Sequence, residues 1–395
     1  MKFRFIHSLS EINAKQWDDL RQGSYPFLSH AFLSALEESG SVGTNTGWSP
    51  QHLVGEDDGK LLLAMPLYLK THSYGEYVFD WQWAQAFEHH GRQYYPKLLS
   101  AVPFTPASGP RVLTHTELDN QTLSNAFDFI KAFTIKHSIS SWHLLFPNEN
   151  LAALLNAEKE MMLRQDVQFH WKNNDYANFD AFLGALRSTK RKQIRRERRK
   201  VAEQDIKLIQ KSGADLSNED WQDFYRAYCA TYYKRSGHAG YLNKAFFEQI
   251  ANTMSDQIML VLAYQHDEFL ASSLFFFDDH SLYGRYWGAL EEADCLHFEA
   301  CYYQGIDFAI DRGLQTFNPG TQGEHKLVRG FEPVKTNSYH WIADSEFATA
   351  ISHYLARERA SINDYQQAAA DYLPVSYTHL PSPRDRTRSR MPSSA

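Results

Sequence analysis

A chain of 395 residues with 43% hydrophobic and 22% charged residues can bury a core of ordinary proportion, which excludes disorder as its main state. A formal net charge of −7 excludes a generally basic surface, so any polyanion must be met by a local patch. The longest apolar runs, 61–65 and 274–277, are too short to span a membrane, the first residues lack an apolar signal core, and three cysteines without a C-x-x-C pair read as reduced thiols of a cytosolic protein.

In chain order, residues 3–6 read as a strand and 27–38 as a helix. Strands follow at 52–55 and 60–70, joined by the Asp-Gly turn signal within 56–59. Residues 77–81 read as a third strand, and three prolines make 100–110 irregular. A helix at 118–137, a buried strand at 141–146, a helix at 148–157 and a strand at 167–171 complete the first half. A similar order then begins again. Residues 179–206 read as one long helical region, and 220–233 and 244–254 as helices. A three-strand meander covers 258–264, 268–277 and 281–287. A helix at 295–312 ends at Gly313, followed by strands at 315–318 and 338–342 and a helix at 344–370. The fold class expected is α/β, with mixed sheets in two similar halves. The units are 1–172 and 173–373, the second carrying a basic helix over 187–206. Residues 374–395 turn abruptly to Pro, Ser and Arg, the composition of a disordered tail. Back-translated, this segment fits library-adaptor DNA read through the end of a fragment. It is expected to be a sequencing artefact, with the natural chain diverging near Pro374.

The richest stretch for chemistry is FNPGTQGEHKLVRGF at 317–331, a glycine turn directly after a strand. Gly320 and Gly323 permit close backbone approach to a ligand, with Gln322 between them. Glu324 or His325 suits a general base that strips a proton from an attacking amine. Lys326 and Arg329 suit a phosphate or a developing oxyanion. The competing reading is a capped helix start with solvated basic residues. TKRKQIRRERRK at 189–200 has eight basic residues in twelve, Arg195, Arg196 and Arg199 among them. On an acidic body that patch suits an RNA backbone, although most charge runs are solvated helix faces. HSYGEYVFDWQW at 72–83 offers His72, Tyr74, Glu76, Asp80, Trp81 and Trp83 as a groove for a sugar or peptide face; the alternative is aromatic core. His297 is a further residue to line a site. A metal pair of His297 and Cys301 has no supporting motif, and no metal is expected. Elbow, P-loop and dinucleotide motifs are absent, so hydrolase, NTPase and dehydrogenase readings have nothing behind them.

Residues 297–341, the 72–83 stretch and the basic run together resemble the FemAB-like predicted N-acyltransferases, bacterial proteins linked to peptidoglycan and part of the wider GNAT superfamily. The resemblance covers about residues 27–373, most specifically the Gly-Glu-His-Lys and Arg-Gly-Phe-Glu-Pro block. It implies two tandem GNAT-like acyltransferase domains. It also implies an N-acyltransferase that moves an acyl or aminoacyl group onto an amine, such as one on a peptidoglycan precursor. The co-substrate would be acyl-CoA or aminoacyl-tRNA, the latter meeting residues 190–200. From the residue types and their spacing, Glu324, His325 and Lys326 are expected to be catalytic. Gly320, Gln322, Gly323, Arg329, Arg195, Arg196 and Arg199 hold the donor. His72, Tyr74, Glu76, Asp80, Trp81, Trp83 and His297 hold the acceptor. Ordinary GNAT enzymes cradle the CoA pyrophosphate on a glycine-rich loop. The matching segment here, 288–296, has one glycine and the acids Glu291, Glu292 and Asp294, which disfavour that mode. A non-catalytic binder of muropeptide or RNA and a conventional acetyl-CoA-dependent acetyltransferase remain the alternatives.

Overall fold

The computed structural model describes residues 1–321 and 323–374. Gln322 and the tail from 375 onward lie outside the described residues. The first half contains β1 (Lys2–Ile6), α1 (Ala14–Asp18), α2 (His30–Glu38), β2 (Trp48–Pro50), β3 (His52–Asp57), β4 (Lys60–Met65) and β5 (Tyr68–Lys70). It continues with α3 (Trp81–His89), β6 (Lys97–Ser100), β7 (Leu113–Thr114), α4 (Asn120–Lys136), β8 (Ser141–Leu145), α5 (Glu149–Leu155) and β9 (Met162–Lys172). The second half opens with α6 (Phe179–Ala185), α7 (Ser188–Ala202), β10 (Ile206–Ser212), α8 (Asn218–Ser236) and α9 (Lys244–Thr253). After these come β11 (Ile258–Gln265), β12 (Glu268–Phe277), β13 (Ser281–Ala289), α10 (Leu296–Phe298), α11 (Gln304–Asp311), β14 (Thr316–Asn318), β15 (Glu332–Ile342) and α12 (Ser345–Asp371).

Among the described residues one sheet runs through both halves in the order β10-β11-β12-β13-β14-β9-β15-β8-β6-β5-β2. A smaller sheet has the order β1-β3-β4-β7. Two pairs in the large sheet are parallel, β6 with β8 and β13 with β14, and each is reached through a helical crossover. β15 comes late in the chain, yet it lies between β8 and β9 and pairs antiparallel with both. The core is likewise shared: Phe27 and Phe32 of the first half stack edge-on against Phe276 on β12, and Phe32 meets Phe246 on α9.

Local chemistry explains the elements. Ser29, Asp119, Asn148, Asn178, Asn243 and Asp344 cap α2, α4, α5, α6, α9 and α12 through side-chain oxygens, and Ser217 with Asp220 forms a capping box on α8. Three expectations are corrected. Residues 77–81 are not a strand: Tyr77 has φ +61°, and α3 starts at Trp81, burying Trp83 and Phe87 one turn apart. The region 179–206 is two helices broken where Leu186 and Arg187 are extended. It ends in strand β10, because residues 206–212 pair with β11. β15 begins at Glu332, earlier than expected, since it tracks β9 along its length.

Candidate functional site

The parallel pairing of β13 and β14 stops at Tyr283 and Asn318. Beyond it the strands part, and the gap between Gly284–Trp287 and Pro319–Thr321 opens a cavity of about 550 Å³. The carboxyl ends of parallel strands are where such sheets place ligands. α8 closes one side with Thr231, Tyr232 and Arg235, and Tyr77 reaches in from the first half. α8 lies so close to β13 that a Cβ on Gly288 would stand 2.3 Å from the Ala227 carbonyl carbon and the Tyr228 nitrogen. The glycine of the 288–296 segment is therefore needed for helix-on-strand packing.

After β14 the chain turns through Gly320 and Gly323 into a short 3-10 helix, Glu324–Arg329. Gly323 has φ +107°, and a Cβ there would lie 2.0 Å from His325 Cε1, so only glycine fits. The turn delivers Lys326 into the cavity wall with 1% of its surface exposed. Its Nζ donates to the Gly320 carbonyl (2.6 Å), and no carboxylate pairs with it among the described residues. Burial, with Arg285 nearby, lowers its pKa to about 7. His325 Nε2 and the Tyr302 hydroxyl lie 2.8 Å apart. Burial and the cations Arg329 and Lys326 lower the His325 pKa. His297 packs against Trp287 and Tyr302 and is pushed by burial to about 4. The Cys301 thiol is raised by burial. Arg285 donates from Nη2 to the Phe104 carbonyl (2.7 Å), while its buried Nε has no partner.

The expected residues separate. His325, Lys326, Gly320 and His297 meet in the cavity wall. Glu324 does not: it is exposed and accepts from the Tyr365 hydroxyl (2.8 Å). Arg329 does not reach the cavity either. It is buried, donates to both oxygens of Glu197 (2.9 Å each), to the Tyr303 hydroxyl and to the His325 carbonyl, and stacks over Phe298. Arg195, Arg196 and Arg199 lie on the exposed face of α7 and are not in the cavity wall. Arg195 pairs with Asp180 and Arg199 with Glu203. Lys190, Arg191, Lys192 and Arg196 carry no ion pair among the described residues. Two acids of the 288–296 segment are also paired, Glu292 with Lys234 and Asp294 with Lys200.

The first-half groove is corrected. Glu76 and Asp80 turn inward to Lys97, which contacts Glu76 Oε2 (2.7 Å), Ser73 Oγ (2.7 Å) and Asp80. Burial raises Glu76 to about 7; at Asp80 burial acts upward, but Lys97 outweighs it and holds the carboxyl at about 2. His72 bonds the Thr46 carbonyl, Tyr74 and Trp81 pack against each other at a tilt on the surface, and Trp83 is buried against His340. None of the six lines the 550 Å³ cavity. Tyr77, inside the same stretch, does. Sequence reading also missed Thr231, Tyr232, Arg235, Ser273, Arg285 and Thr321. Only Arg285 left a signal, a lone cation inside the apolar strand Ser281–Ala289.

The family model for FemAB-like proteins, described as peptidoglycan biosynthesis/recognition, matches residues 8–377. The chain belongs to the FemAB-like family. This FemAB-like chain has the fold of a solved FemX at 12% identity and TM-score 0.51, covering 89% of this chain and 100% of that one. A conserved protein of unknown function from Bacteroides thetaiotaomicron is similar at 12% identity and TM-score 0.52, covering 86% and 99%. So is the C-terminal domain of a putative lysylphosphatidylglycerol synthetase from Agrobacterium fabrum, at 8% identity and TM-score 0.51, covering 87% and 96%. No curated protein matches the chain. The fold is mixed α/β, as in the solved FemX. Among the described residues no helix is long and apolar enough to cross a membrane, and no group of three His, Cys, Asp or Glu is placed to hold a metal.

Proposed function

We propose that the protein is an N-acyltransferase that moves an acyl or aminoacyl group from an activated ester or thioester onto an amine, in the cavity beside Lys326. The observation that carries the reading is a lysine buried without a counter-ion among the described residues, and so close to neutral, in the wall of a 550 Å³ cavity. An amine acceptor arrives as an ammonium and needs a base before its nitrogen has a lone pair. A neutral Lys326 donates one N–H to Gly320 and keeps its own lone pair for that proton. The freed nitrogen attacks the donor carbonyl carbon and forms the C–N bond. Arg285, in the cavity wall, meets the oxyanion of the tetrahedral intermediate. Collapse breaks the C–O or C–S bond, the Lys326 ammonium returns its first proton to the leaving oxygen or sulfur, and the again neutral lysine takes the second proton from the new amide nitrogen and releases it to solvent. His325 and Tyr302 hold the loop and the cavity wall in register.

The family description favours a peptidoglycan precursor as acceptor. Aminoacyl-tRNA is the donor we favour, since the 288–296 segment keeps Glu291 unpaired among the described residues. Lys190, Arg191, Lys192 and Arg196 form the free part of the α7 patch. Pairing of Glu292 and Asp294 supports acetyl-CoA as the second reading. Both donors are cytoplasmic, and the reading puts the enzyme in that compartment. The test is mass-spectrometric detection of acyl transfer to amine acceptors, with acetyl-CoA and with charged tRNA, in wild type and Lys326→Met. Transfer from tRNA whose binding weakens in a Lys192→Glu, Arg196→Glu variant, with a shallower salt slope, fits the first reading. Transfer from acetyl-CoA alone fits the second. No transfer from either donor overturns both.

A further inference from the structure

A second cavity of about 200 Å³ adjoins the first, and Tyr77 and Thr321 belong to the walls of both. Most of its polar lining comes from β9 and β15, with Glu358 added from α12. Alternate residues of a strand share a face, so Arg164, Asp166, Gln168 and His170 form one row. Ser338, Thr336 and Val334 stand opposite the first three in register. The row leads to the reaction centre through hydrogen bonds. Gln168 Oε1 accepts from Asn318 Nδ2 (3.4 Å), Asn318 Oδ1 accepts from the Gly320 N–H (2.9 Å), and the Gly320 carbonyl accepts from Lys326 Nζ (2.6 Å).

The two cavities differ in charge. In the larger one stand the cations Arg235 and Arg285. In the smaller one Arg164 is cancelled by a bidentate pair with Glu358 (2.9 and 2.8 Å). That leaves Asp166, an exposed residue at the edge of the cavity wall, whose Oδ1 accepts from the Val167 N–H (2.8 Å) and which has no ion pair among the described residues. A cavity with one uncompensated carboxylate selects a cation, while the cationic cavity beside it suits a phosphate-bearing donor and an oxyanion. Asp166 and Gln168 are about 7 Å apart along the strand, and Asn318 and Gly320 lie between Gln168 and Lys326, so a group at Asp166 is remote from the reacting nitrogen.

We propose that the smaller cavity binds the remote end of the acceptor, and that Asp166 there recognises a second ammonium, so that the acceptor is a diamine in which one amine is anchored while the other is acylated. This rests on the transfer reading for the role of the site, but its test is a binding measurement. Isothermal titration calorimetry on the full chain compares 1,8-diaminooctane with 8-amino-1-octanol, equal in length but with one ammonium. The diamine should bind about tenfold more tightly. Asp166→Asn should erase the difference, and Asp166→Glu, which keeps the charge, should retain it. Equal affinities in the wild type, no binding of either amine at millimolar concentration, or an undiminished preference in Asp166→Asn would each overturn the proposal. A diamine preference without any acyl transfer would leave the subsite standing and sink the transfer reading. Transfer without the preference would do the reverse.

Discussion

Burial costs an ammonium its hydration, and at Lys326 no carboxylate offsets that cost among the described residues. If the neutral form is the base, kcat/KM should rise with pH through about 7 and then level off. His297, pushed by burial to about 4, cannot supply that limb, and burial lowers His325 as well. Lys326→Met should lower kcat/KM by about 10²–10⁴-fold and abolish the limb, as pH–rate profiles will read. The same shift has a stability sign. Unfolded, this lysine titrates near 10.5; folded, near 7. Between those values the unfolded chain binds more protons, so stability rises with pH across that window, and Lys70, also lowered to about 7 by burial, adds to the slope. Urea midpoints at either end of the window should show it, with a smaller rise in Lys326→Met. Lys97 makes the opposite case, because it is fully buried between two carboxylates. Lys97→Met should cost about 3–5 kcal/mol in urea denaturation, since it strands Asp80 and Glu76 without their cation. The glycines and reactive side chains of 317–331 made His325 and Lys326 legible in the sequence. Their roles were not legible, because a base and an anion partner differ in burial, which sequence spacing does not carry. Glu324 and Arg329 look equivalent to them in the sequence; the short 3-10 helix turns one to solvent and the other onto Glu197.

α8 forms a wall of the large cavity only because it approaches β13 at Gly288. Gly288→Ala has to push the α8 backbone away and should destabilise the protein by about 1–3 kcal/mol in chemical denaturation; an unchanged midpoint would show that the helix yields freely. Most elements were readable because their periodicity and their packing agree, as in the meander β11 to β13 and in α4. The failures share a cause. Tyr-Val-Phe-Asp-Trp at 77–81 has strand propensity, but Glu76 and Asp80 on either side are drawn to Lys97, and the backbone between them cannot stay extended. That same looping out aims Tyr77 at both cavities. β10 was hidden because Ile206–Ser212 alternates weakly and becomes a strand only by lying at the edge of β11.

We propose that the chain divides after residue 172 into two units, and β15 crosses that division to fill the gap between β8 and β9. A fragment of residues 1–172 should therefore aggregate or stay unfolded, while co-expression with 173–374 should give a soluble complex; size exclusion and circular dichroism will tell. A monomeric, fully folded 1–172 would count against β15 as a required strand. The meander β11 to β13 was visible in the sequence, whereas the exchange of the last strand was not, because register between distant strands leaves no local trace. The exchange also sets a clock. On a ribosome adding about 5–20 residues per second, β9 waits on the order of 10–30 s before β15 emerges beside it. During that interval β8 and β9 expose open edges, so the nascent chain needs a chaperone or a temporary partner for longer than its first 172 residues alone would suggest.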